Sequence, residues 1–127
     1  MQFKNYTFII ILLILVSCKK EDSFHRPEMD SSETTVAKSI QGNWTEFIPF
    51  NKEKPKSFTL KESGDASSIN VINKQYTHWW VNSHQLCVLA ESDTNKRDTL
   101  FFSLKAVSDK VIVLEHNNQE YTYKRIE

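Results

Sequence analysis

The chain predicts an all-β fold, a small eight-stranded antiparallel up-and-down barrel that follows a disordered tether. Three observations carry this expectation. After Gly42, apolar and polar residues alternate with a period of two, as in Phe58/Leu60, Leu86/Val88/Ala90 and Leu100/Phe102/Leu104/Ala106, the pattern of strands with one buried face. The alternating runs are rich in Ile, Val, Phe, Tyr, Trp and Thr, which fit a pleated, half-buried surface. They follow one another across connections too short for parallel crossovers, so neighbouring strands are antiparallel. Closing the meander removes both sheet edges. An open two-sheet sandwich is the alternative.

The first element is an address. Residues 1–17 hold one cation, Lys4, and a nine-residue apolar run from Phe8 to Val16. As a helix that run would rise only about 14 Å, roughly half of a ~30 Å hydrocarbon core. A basic start, a short apolar core and a small residue before the cut describe a signal peptide. Leu15-Val16-Ser17-Cys18 resembles the lipobox of bacterial lipoproteins, which implies cleavage before Cys18 and fatty acylation of its thiol and new amine. Several acyl chains, at about 0.8 kcal/mol per buried methylene, anchor stably. Lys20-Glu21-Asp22 is similar to a surface-export signal of Bacteroidetes lipoproteins. The cell envelope is therefore the expected location, as an outer-membrane lipoprotein exported to the surface.

Residues 18–35 are polar and charged, with Phe24 and Met29 as the large apolar residues, and are expected to form a flexible tether. The barrel domain is expected over 36–127. Val36 and Ile40, at i and i+4 with Gly42 as a stop, predict a short turn of helix around Ser39. Strands are expected over 43–48, 57–62, 66–72, 75–81, 85–90, 99–107, 110–115 and 120–126. Good turn formers separate them: Ser63-Gly64-Asp65, Asn82-Ser83-His84, Ser108-Asp109 and Asn117-Asn118.

Gly42-Asn43-Trp44 resembles the Gly-x-Trp of lipocalins. Phe58-Thr59-Leu60, then Gly64-x-Ala66-x-Ser68-Ile69-Asn70, then Tyr76, Trp79 and Leu86, is similar to the lipocalin-like domain of Bacteroidetes lipoproteins. The resemblance is close over 40–89 and holds in outline beyond. It departs at 91–98, where a charged connection replaces a small-residue turn and loosens the expected register of the last three strands. It implies a small barrel with Gly42, Trp44, Gly64, Ala66, Ser68 and Asn70 as structural positions. It also implies that Trp44 lies across the barrel floor under a basic residue of the last strand, here Arg125. A guanidinium within about 6 Å of the Trp44 ring centre satisfies that expectation.

Sixteen basic and sixteen acidic residues leave no cationic surplus for nucleic acid. Removal of residues 1–17 takes away only Lys4, so the mature chain carries 15 against 16. His25, His78, His84 and His116 lack metal-ligand spacing. Cys87 sits mid-strand as an inert thiol, and two glycines cannot make a phosphate cradle. No enzyme, metal or cofactor is expected.

Aromatic residues are the stronger signal. Adjacent Trp79 and Trp80 point to opposite faces of their strand, as do Phe101 and Phe102. The outer Trp and Phe101 are then either covered by the N-terminal segment or exposed as a contact patch. The first functional expectation is a membrane-anchored, non-enzymatic module binding a small apolar or amphipathic ligand at the barrel mouth through Tyr76, His78, Trp79 and Trp80. The alternative is a filled barrel acting as a protein-interaction module, an inhibitor or an accessory subunit of an outer-membrane assembly. An interior cavity of about 300 Å³ or more separates the two.

Overall fold

The computed structural model describes residues 24–49 and 54–126. The expected signal peptide, the expected acylation site Cys18 and Lys20-Glu21-Asp22 lie outside the described residues. One helix precedes eight strands: α1 (Ser31–Ile40), β1 (Gly42–Glu46), β2 (Ser57–Leu60), β3 (Ala66–Ile69), β4 (Lys74–Asn82), β5 (Gln85–Ser92), β6 (Arg97–Val107), β7 (Val111–His116) and β8 (Gln119–Ile126). All pair antiparallel in the order β3-β2-β1-β8-β7-β6-β5-β4.

The first and last strands pair as a barrel requires, with Trp44 opposite Arg125. The meander is nevertheless nearly closed rather than closed. Its seam falls between β3 and β4, which share one bridge, Asp65 with His78. The Trp79 amide donates to the Gly64 carbonyl at 2.9 Å. Further up, the Ser68 hydroxyl stands in for a backbone acceptor and takes the Tyr76 amide at 3.0 Å.

Asparagine supplies the backbone freedom that a two-glycine chain lacks. Asn70, Asn73, Asn95, Asn117 and Asn118 all hold positive φ, with Ser83. Paired positive φ at Asn117-Asn118 gives the two-residue turn whose twist matches the flanking strands. In the charged connection Asn95 holds φ +61° and the Ser92 amide donates to Lys96 at 2.8 Å. The pairing of β5 with β6 accordingly runs to Glu91 opposite Arg97, and the loosened register expected there does not occur.

Two bulges re-aim side chains. At Thr77 the register shifts, so Tyr76 and Trp79, three apart, both point inward. A second shift between Leu104 and Ala106 turns Ala106 outward, against the simple alternation.

Residues 24–35, expected to belong to the tether, are ordered against the barrel. Residues 24–30 run beside β4, and α1 spans ten residues rather than a turn. Asp30 caps it, accepting from the Glu33 amide at 2.7 Å, while the Glu33 carboxylate accepts from the Asp30 amide at 2.9 Å. This reciprocal box satisfies two helix-start donors. Ala37 and Ile40 close the floor end of a core built on Trp44, Phe58, Leu60, Trp79, Leu86, Phe102, Ile112, Leu114 and Tyr123.

Candidate functional site

The floor carries two arginine-on-tryptophan stacks. The Arg125 guanidinium lies 4.4 Å from the Trp44 ring centre, within the expected limit. It also donates to helix-end carbonyls, Ser39 at 2.7 Å and Gln41, and through Nε to Asp109 at 2.7 Å. A cation at a helix C-terminus opposes the negative end of its dipole. The Trp44 indole N–H donates to the Ile40 carbonyl at 2.9 Å.

The second stack, Arg26 over Trp79 at 4.6 Å, has the same design. Arg26 Nε donates to the Trp79 carbonyl at 3.1 Å, and the Trp79 indole donates to Lys61 at 2.8 Å. Burial draws the Arg26 pKa down, although a guanidinium stays charged at physiological pH. Sequence reasoning missed this pair because Arg26 fell inside the expected tether.

The structural positions of the motif now have physical reasons. Gly42 has φ +130°, and a Cβ there would collide with Arg125. Gly64 has φ +96°, and its Cβ would stand 3.1 Å from Arg26 Cδ. Ala66 and Ser68 face the interior at the seam, and Asn70 at φ +63° donates to the Pro55 carbonyl at 3.1 Å.

The four residues expected to share a ligand site do not come together. Trp79 is fully buried inside, and Trp80 and His78 point outward beneath Phe24, with ring centres 5.6 and 4.3 Å away. His78 faces Asp65 at 3.6 Å across the seam. Tyr76 alone reaches the mouth.

The interior is filled. Among Phe58, Tyr76, Leu86, Val88, Phe102, Leu114 and Tyr123 about 180 Å³ of interstices remain, with no room for a water molecule. The mouth holds a shallow bowl of about 230 Å³. Tyr76, Phe102, Tyr121 and Tyr123 line it with Lys56, Lys74 and His116, and Val71 and Ile72 complete its edge. A neighbouring depression of about 330 Å³ adds Lys54, Glu46 and Ile48. Ile72 is 78% exposed and lies with Val71 among Lys54, Lys56 and Lys74, so the rim combines apolar tips with lysines. Burial, with Glu46 and Tyr121 adding to it, pushes the Tyr76 phenol up to about 12, and Tyr123 shifts the same way. Among the described residues no group of His, Cys, Asp and Glu is placed to hold a metal.

An eight-stranded meander with a stacked tryptophan floor defines a small, nearly closed antiparallel barrel. The lipocalin-like family profile matches residues 36–126, and the chain belongs to that family. It is similar in fold to a lipocalin-like protein from Bacteroides thetaiotaomicron, with TM-score 0.58 and 23% identity over 69% of this chain and 97% of that one. No curated protein sequence matches.

Proposed function

We propose that this chain is a lipid-anchored, non-enzymatic lipocalin-like lipoprotein of the outer membrane that acts as a protein-interaction module. The filled interior carries this reading. It leaves far less than the ~300 Å³ that an enclosed small-molecule site needs. At the mouth, Val71 and exposed Ile72 stand beside Lys54, Lys56 and Lys74. Apolar tips surrounded by cations suit an envelope protein that presents an apolar surface edged with carboxylates.

A photocrosslinking residue at Ile72 in intact cells tests the reading, with Asn43 on the barrel wall as the control position. Crosslinks to a discrete envelope protein from position 72 alone support it. Equal crosslinking from both positions rejects it. A second reading is favoured by the aromatic lining of the 230 Å³ bowl, which could seat the end of a small anionic amphiphile. Native mass spectrometry of protein taken from its own membranes separates the two, because a retained small ligand adds mass.

A further inference from the structure

The described chain enters the fold on the outer wall of β4, where Phe24 stacks on His78 and Trp80. Arg26 and Met29 tie the next turns of chain to the same strand, through the Trp79 carbonyl and the Val81 amide. The wall continues across the sheet, because Trp80 stands opposite Cys87 and Cys87 opposite Phe101. Phe24, Trp80 and Phe101 therefore form one row over β4, β5 and β6, and Phe101 is 49% exposed. Charged residues along this wall include two pairs of opposite sign, Glu91 opposite Arg97 and Lys105 3.6 Å from Glu115, with Asp65 beside His78.

Cys18 lies six residues before Phe24. Fully extended, that length spans at most about 21 Å. The eleven residues of β6 extend roughly 36 Å at ~3.3 Å each. A link shorter than a barrel strand keeps the wall to which it is fastened close to the surface that holds it. We propose that the β4–β6 wall is seated against the anchoring bilayer, with Phe24 and Phe101 entering its headgroup region. The proposal rests on acylation of Cys18. Aromatic rings suit this depth, where apolar and polar surroundings meet, and charges held in opposite-sign pairs favour contact by burial over electrostatic adsorption.

The test uses the lipidated protein purified from its own membranes, with intact mass reporting the acyl chains. Environment-sensitive fluorophores are placed through Phe101→Cys and, as a second site on the same wall, Thr99→Cys. Asn43→Cys is the control: β1 lies four strands from β5 in either direction around the barrel. All label variants carry Cys87→Ala, because Cys87 lies opposite Phe101 and its cover would be lost in Phe101→Cys. The protein is reconstituted into phosphatidylethanolamine–phosphatidylglycerol vesicles containing a headgroup-region spin-labelled lipid. Quenching at positions 101 and 99 several-fold stronger than at 43 is expected. Equal quenching, or stronger quenching at 43, overturns the proposal while leaving the anchor intact. Self-quenching between labels at 101 without quenching by lipid also overturns it and gives the wall to a second copy of the chain. Absence of acyl mass removes the anchor reading and this proposal together.

Discussion

Arg26 lies over Trp79 with its guanidinium carbon 4.6 Å from the ring centre, repeating at the seam the stack of Arg125 on Trp44. The two glycines of the chain stand beneath these two arginines. Each stack thus joins a glycine, an arginine and a tryptophan that are distant in sequence.

Arg26→Ala should destabilise the domain by about 1–2 kcal/mol, since it removes a stack of ~0.5–2 kcal/mol and a charge-assisted hydrogen bond. Denaturant unfolding of the variant beside the parent checks this. An unchanged midpoint would mean that the Arg26–Trp79 stack adds no stability.

Asp30→Ala removes the side-chain half of the capping box and should cost about 1 kcal/mol. Thermal melting by far-ultraviolet circular dichroism reads the loss. Asp30→Asn keeps an acceptor and should recover most of it.

Alkaline pH should unfold the barrel from its mouth. Tyr76 and Tyr123 hold their protons more tightly when folded than at the ordinary value of 10.0. Their contribution is complete below that value and is lost as pH rises from 10 towards about 12. Each adds a slope of about 1.4 kcal/mol per pH unit. Tyr76→Phe should shallow the decline, as melts across this window would reveal; an identical profile for the variant contradicts the assignment.

Burial pushes the Cys87 thiol up to about 11. With Cys18 acylated, a thiol reagent near neutral pH should find no reactive group in the folded protein and one after denaturation. A fast reaction of the native protein would mean that the wall over Cys87 opens.

Cys18→Ala should abolish fatty-acid labelling and membrane association while the barrel still folds. Metabolic labelling reads the first, and near-ultraviolet circular dichroism of the soluble variant reads the second. Persistent labelling of the variant removes the lipoprotein assignment.

The strands were legible because alternation and turn chemistry act locally. Phe58, Leu60, Leu86, Val88 and Phe102 fall inside as their parity requires. Parity also placed one of Trp79 and Trp80 outside, but a bulge one residue away decides which, and nothing in the alternation marks Thr77. The Arg125–Trp44 stack was readable through the family resemblance. Arg26 was not, because a polar segment gives no periodic signal of the strand edge it will cover. The Asp30-x-x-Glu33 capping box was present in the sequence and went unread, which shortened the expected helix. The filled interior was beyond reach because it depends on how the aromatic and aliphatic side chains interdigitate, which composition alone does not determine.

The contacts that finish this fold join segments the chain makes far apart in time. Arg26 meets Trp79 across 53 residues, and Arg125 meets the Ser39 carbonyl across 86. During synthesis or export, residues 24–33 emerge first yet have no β4 to lie against, and Trp44 has no lid until the penultimate strand residue arrives. No N-terminal fragment contains a completed floor. Folding therefore awaits nearly the whole chain, at a rate set by long-range strand pairing, and loss of the last few residues should leave an incomplete domain open to proteolysis.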